Sequence, residues 1–329
     1  MLRTRFTELV GCAVPIQQAG MGSLTNPRLA KAVADAGGQG MLSVTGLAPA
    51  LTTDILDELQ RQTSGVFGVN LVMPFVKDRQ YARDIVAVAA ERARVVDFFY
   101  GDPDADLIRI VHDHGGLACW QVGSKEEAVA AADAGCDLIV AQGIEAGGHV
   151  RGKIGLLALL NEVLGAVDVP VLAAGGIGTG RALAAVLAAG ASGVRVGTRF
   201  VASVEAGAHP AYVEALIAAE AGDTIYTDRF SVGWPNAPHR VLRSCLEAAE
   251  AFQGDVVGER VNQYTGERSD IPRFGIGGPT QQTSGTIRAM SLWAGESVGG
   301  VKRLQPVAEI VRELVEEAEG LLRRWGSEG

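Results

Sequence analysis

Gln142-Gly-Ile-Glu-Ala-Gly-Gly-His149, Ala174-Gly-Gly-Ile-Gly-Thr-Gly180 and Gly197-Thr-Arg-Phe200 are three loop motifs, each following a short apolar run: Leu138 to Ala141, Val169 to Ala173, and Val194 to Val196. An apolar run that ends in a glycine-rich turn and then enters a helix reads as a buried parallel strand giving way to its crossover. In a βα architecture such loops share one face, the face that carries function. Two glycine cradles and one histidine are thereby expected around one pocket, an arrangement suited to a phosphate-bearing cofactor beside a titratable group.

Working outward, strands and amphipathic helices alternate from residue 14 to about 221. Strands are expected at 14–18, 40–44, 66–73, 95–100, 117–122, 137–141, 169–173 and 193–196. Helices are expected at 27–36, 53–62, 79–92, 105–114, 124–135, 156–165, 181–189 and 210–221. Asn26 before Pro27 is a helix-start signal, and Ser124-Lys-Glu-Glu127 has capping-box spacing. Eight such units predict an α/β protein of the closed (β/α)8 TIM barrel class, with a doubly wound sheet as the alternative. The beat stops after Asp223. The expected organisation is therefore a barrel over 1–222 and an irregular, partly helical extension over 223–329, containing helical stretches at 240–253 and 307–325.

With 329 residues the chain can bury a large core, and its charged fraction of 20% and aromatic fraction of 5% suit a globular enzyme. A net charge of −9 argues against a nucleic-acid or anionic-membrane surface, which needs clustered Lys and Arg. No apolar run reaches the roughly 18 residues of a membrane span. Four scattered cysteines, with no C-x-x-C pair and no histidine at ligand spacing, point to reduced thiols, no metal site and a cytoplasmic setting. The start Met-Leu-Arg-Thr-Arg lacks an apolar segment behind its basic residues and does not read as a signal peptide. A homo-oligomer is compatible with the sequence, and nothing in it fixes the number of subunits.

In phosphate-binding barrels the loops after strands seven and eight build the anion site, and Gly175-Gly176 and Gly197-Thr198 fall at those two loops. G-x-G-x-x-G is not satisfied, because Ile177 and Arg181 stand where the pattern fails, so a dinucleotide fold is disfavoured. Gln18 to Gly22, Asn70 and Gln121 lie at other strand ends, where an amide can serve a heteroaromatic ring edge as donor and acceptor. His149 is the candidate catalytic residue, its imidazole suited to proton transfer or to support of an anion. No Ser, Cys or Lys nucleophile motif is present.

At Pro15-Ile-Gln-Gln-Ala-Gly-Met21, Phe67-Gly-Val-Asn70, the His149 motif, Ala173-Ala-Gly-Gly176 and Gly197-Thr-Arg-Phe200 the chain resembles the nitronate monooxygenases, formerly 2-nitropropane dioxygenases, a family of FMN-dependent (β/α)8 enzymes. The resemblance covers most of the chain. It implies FMN held by Ala19, Gly20, Met21, Gly22, Asn70, Gln121, Gln142, Gly148, Gly175, Gly176, Gly197 and Thr198, with His149 as catalytic residue. Gln121 stands where relatives often carry a lysine near the flavin. Ser291-Leu-Trp-Ala-Gly-Glu-Ser-Val-Gly299 is similar to the family's C-terminal segment, which returns toward the flavin. The implied activity is oxidation of alkyl nitronates by dioxygen to a carbonyl compound and nitrite, with nitroalkanes as further candidates. Similar sequences also include NAD(P)H-driven reductases of quinones or enoyl thioesters, which form the alternative; a noncatalytic flavin-binding protein is the third reading.

Overall fold

The computed structural model describes residues 2–76 and 78–326; Met1 and residues 327–329, at the outer ends of the two expected domains, and Lys77 lie outside the described residues. Eight parallel strands form the barrel: β1 (Ile16–Gln18), β2 (Gly40–Ser43), β3 (Phe67–Val72), β4 (Val95–Phe99), β5 (Leu117–Val122), β6 (Leu138–Gln142), β7 (Val171–Ala174) and β8 (Gly193–Val196). They pair in the order β2 to β7, then β8, then β1. The ring is drawn together by Gln18 N–H donating to Gln39 O (2.9 Å) and Gln39 N–H to Ile16 O (2.8 Å). β1 is shorter than expected, since Pro15 has no N–H to give a ladder. β4, β5 and β6 are buried at every position, as a sheet covered on both faces requires.

The helix starts follow their caps. Asn26 Oδ1 accepts from Leu29 N–H at 2.9 Å with Pro27 as first helical residue. Ser124 Oγ accepts from Glu127 N–H at 3.2 Å, but the Glu127 carboxylate takes Gly123 N–H (2.8 Å) and Arg151 Nε (2.6 Å), so the expected box is replaced by a link to the loop beyond His149.

The largest departure from expectation concerns the eighth outer helix. Pro210–Ala218, in place of the expected 210–221, does not close the barrel. Its Tyr212, Val213 and Leu216 join a second core with Phe230, Val241, Leu246, Met290, Leu292 and Val301. The position between Gly180–Ala188 and Pro27–Asp35 is taken by Val307–Gly326, which lays Val307, Ile310, Val311, Leu314 and Ala318 into the barrel core. The approach is close: a Cβ on Gly180 would lie 2.5 Å from Leu314 O. Periodicity announces that a helix has an apolar face, not which neighbour will cover it.

The excursion between β8 and the last helix builds two sheets, one of them with a strand from the loop after β6. Thr224–Thr227, His239–Leu242 and Gly148–His149 form one, antiparallel throughout. Val256–Val261 pairs with Arg268–Pro272 and with Thr283–Gly285 in the other. The second hydrophobic core lies among these elements, beside the C-terminal mouth of the barrel.

Candidate functional site

Every residue expected at the site, from Ala19 to Gly22, through Asn70, Gln121, Gln142, Gly148 and His149, to Gly175, Gly176, Gly197 and Thr198, lines one cavity of about 880 Å³ at the strand C-termini. The fold brings all of them together.

On one side lie the glycine turns. Gly175 and Gly176 have φ of 114° and 67°, a left-handed pair that turns the chain sharply after β7. A Cβ on Gly175 would sit 3.1 Å from Ala146 N, whereas one on Gly176 would meet nothing in the protein nearer than Glu145 Cβ at 3.8 Å. The space beside Gly176 is therefore open to a ligand. Thr198 Oγ1 accepts from Gly295 N–H at 3.0 Å, and Glu296 N–H donates to Glu145 O at 3.0 Å. These bonds bring the 291–299 segment back across the mouth, where Trp293 and Ser297 line the cavity. The crossing needs glycine on both segments, since a Cβ on Gly147 would lie 2.4 Å from Gly295 N and one on Gly295 2.7 Å from Gly147 N.

The floor is polar. Arg195 on β8 donates through Nε to Gln17 Oε1 (2.6 Å), through Nη1 to Gln121 Oε1 (2.5 Å) and through Nη2 to Asp97 Oδ1 (2.5 Å). Asp97 Oδ2 accepts from Asn70 Nδ2 at 2.6 Å. Asp97 and Gln17 are fully buried and Arg195 is 5% exposed. Arg195 and Asp97 were not among the expected site residues, although a signal was there: Val95-Val-Asp-Phe-Phe99 and Gly193-Val-Arg-Val196 each place one charge inside a strand that buries both faces.

His149 is held by its neighbours before any ligand arrives. Gly148–His149 pairs with His239–Arg240 on a strand, His239–Leu242, where the sequence suggested a helical stretch from 240; the helix begins at Arg243. Gln142 Nε2 donates to His149 O (2.9 Å) and its Oε1 accepts from Arg151 N–H (3.3 Å). The Gln142 side chain lines the cavity, yet both ends of its amide serve the histidine loop, a positioning task in addition to the cofactor contact that was expected. The imidazole stacks on Trp234 at 4.0 Å between centroids, with Trp293 at 5.1 Å and His239 at 5.4 Å. Burial, reinforced by His239, pushes the His149 pKa down from 6.5 to about 3, so the ring is neutral near pH 7. Its Nε2 is buried without a partner among the described residues. His239 lies 2.9 Å from Ala237 O through Nδ1 and accepts Phe230 N–H through Nε2, which fixes it as a neutral tautomer. The aromatic wall of Trp234, Trp293, Tyr100 and Phe75 escaped the sequence reading, because it is assembled from four separate loops.

The model of the nitronate monooxygenase family matches residues 3–80 and 74–317. The chain belongs to that family. A nitronate monooxygenase of Pseudomonas aeruginosa is 32% identical, over 96% of this chain and 99% of its own. A (3aS,4S,5R,7aS)-5-hydroxy-7a-methyl-1-oxo-octahydro-1H-indene-4-carboxyl-CoA dehydrogenase of Rhodococcus jostii is 35% identical, over 78% of this chain and 70% of its own. Among solved structures, FabK from Thermotoga maritima superposes with a TM-score of 0.80 at 30% identity, covering all of both chains. The chain is thus an oxidoreductase of a flavin-dependent, barrel-fold family that acts on small molecules. No helix among the described residues is long and apolar enough to cross a membrane.

Proposed function

We propose that the protein is an FMN-dependent nitronate monooxygenase, oxidising alkyl nitronates with dioxygen to carbonyl compounds and nitrite. The observation that carries this reading is the convergence on one cavity of a left-handed glycine turn, an amide pair at the floor and a neutral histidine with an unpartnered Nε2. Those features fit FMN. The open space beside Gly176 suits a phosphate that must approach backbone N–H groups closely, and Gln121 and Asn70 offer hydrogen-bonding groups to a ring edge. Bound FMN would supply the electron acceptor that the protein's own side chains lack.

The remaining chemistry belongs to the chain. A neutral imidazole stacked in an aromatic wall cannot hold an anion by charge, but a ring N–H can donate a hydrogen bond to a nitronate oxygen. Trp234, Trp293 and Phe75 keep water from the reacting carbon and stack with a flat substrate. A base whose conjugate acid has a pKa of about 3 is poorly matched to removing a C–H proton at neutral pH, which favours the preformed nitronate over the nitroalkane as substrate.

Anaerobic stopped-flow mixing of the holoenzyme with propyl-2-nitronate, and separately with NADH and NADPH, tests the assignment. Flavin bleaching by the nitronate at a rate matching turnover is expected. Bleaching by a pyridine nucleotide with none by nitronate overturns it in favour of the reductase reading. One observation favours that second reading: the cavity continues beneath the Val256–Val261 sheet past Arg260, Tyr264 and Ile271, and 880 Å³ lies near the top of the range of about 300–1,000 Å³ for small-molecule sites. Such room suits a substrate as long as an acyl thioester, and the Rhodococcus jostii relative is named for a CoA thioester.

A further inference from the structure

The hydrogen bonds of Arg195 leave the two floor amides no freedom of orientation. An Arg guanidinium has donors only, so Gln121 must turn its oxygen to Nη1 and present its NH2 elsewhere. The Asp97 carboxylate, paired with Arg195, serves as acceptor, so Asn70 must give it the NH2 and present its oxygen. Neither the Gln121 Nε2 nor the Asn70 Oδ1 has a partner among the described residues, neither is sealed from solvent, and both residues line the cavity. The chain of constraint continues behind the floor, where Gln17 accepts from Arg195 Nε and gives its own NH2 to Gln39 Oε1 at 2.8 Å. Reversing either floor amide would set N–H against N–H or oxygen against oxygen in a buried layer.

We propose that the buried Arg195–Asp97 pair is a polarity lock: it obliges Gln121 to be a donor and Asn70 an acceptor, so that together they read a ring edge carrying a carbonyl beside an N–H, the pyrimidine edge of a flavin. Arg195 and Asp97 are positioning residues here, acting through Gln121 and Asn70. The proposal rests on the flavin reading of the site.

The lock is tested with apoprotein and two probes, FMN and 3-methyl-FMN, which lacks the ring N–H but keeps the phosphate, ribityl chain and carbonyls. Dissociation constants come from quenching of flavin fluorescence, on wild type and on the paired variant Arg195→Met with Asp97→Asn. Removing both charges avoids stranding either one, and exchanging a buried pair for neutral groups is commonly tolerated. Wild type should prefer FMN by about tenfold or more, the value of one hydrogen bond to a fixed partner. The paired variant should retain its circular dichroism spectrum and narrow that preference to about threefold or less, because the amides can then turn to suit either probe. An undiminished preference in the folded variant overturns the lock. Should the paired variant fail to fold, Gln121→Glu serves: it keeps the bond to Arg195 but offers oxygen to the cavity. FMN affinity should then fall by about tenfold or more, and unchanged affinity overturns the lock. Wild type that binds FMN and 3-methyl-FMN equally also overturns it while leaving the flavin reading intact. Binding of neither probe removes the flavin reading itself.

Discussion

Lowering the pH below the ordinary histidine range should destabilise the apoprotein by an amount traceable to His149. In the unfolded chain this imidazole titrates near 6.5, and in the folded protein burial and His239 bring it to about 3. The depressed value means that the fold favours the neutral ring. Its contribution to stability is therefore complete above pH 6.5, declines as pH falls, and is gone below about 3. At pH 5 the unfolded chain carries this proton and the folded chain does not; with 1.36 kcal/mol per unit, the 1.5 units below 6.5 correspond to about 2 kcal/mol lost relative to pH 8. His149→Phe keeps a ring against Trp234 but cannot titrate. Urea denaturation of apoprotein at pH 8 and pH 5 should then show wild type losing about 2 kcal/mol more than the variant, with the other titrating groups common to both. An excess under about 0.5 kcal/mol would mean that His149 is protonated in the folded protein at pH 5. The account in which burial holds this imidazole neutral well below pH 6.5 would fall with it.

Two further outcomes follow from glycine geometry. Gly176→Ala meets no protein atom closer than 3.8 Å but must hold φ of 67°, so it should cost about 1–2 kcal/mol in stability while raising the FMN dissociation constant more than tenfold; an affinity within twofold of wild type places the phosphate elsewhere. Gly180→Ala drives a Cβ to 2.5 Å from Leu314 O and should destabilise by about 1–3 kcal/mol in urea, whereas Gly320→Ala, on the same C-terminal helix with nothing within 4 Å, should be neutral or stabilising; equal effects would mean that the last helix does not seal the barrel.

The barrel was legible because its strands are local statements. Val95 to Phe99 and Leu138 to Ala141 are apolar enough to be buried on both faces, and Gly175-Gly176 declares a turn that other residues resist. Legible too was the convergence at the strand ends, since the order of βα loops around a barrel follows the order of the chain. What escaped was information held in pairs. Nothing within 307–326 says that its apolar stripe will cover β-barrel surface between the helices after β1 and β7, and nothing within 210–218 says that it will not. The pairing of His149 with His239 likewise depends on a partner ninety residues away in a stretch whose Trp-Pro-Asn-Ala-Pro reads only as loop.

The same distinction explains how the site is made rigid. Four cavity positions are fixed by a bond at their back: Gln121 by Arg195, Asn70 by Asp97, the His149 backbone by Gln142 and by the His239 strand, and Thr198 by Gly295. With those of Arg195 to Gln17 and Asp97, these bonds join β1, β3, β4, β5 and β8 to one another, and through Gln142 on β6 and Thr198 after β8 they tie in the histidine loop and the excursion. A group fixed from behind loses little entropy when a ligand meets it from the front. The charges of the floor, Arg195 and Asp97, are spent on each other and on amides, so the floor presents oriented dipoles, beside a neutral imidazole, in place of net charge. Oriented dipoles discriminate by the pattern of donors and acceptors, and a flat ring with an ordered edge is what that pattern selects.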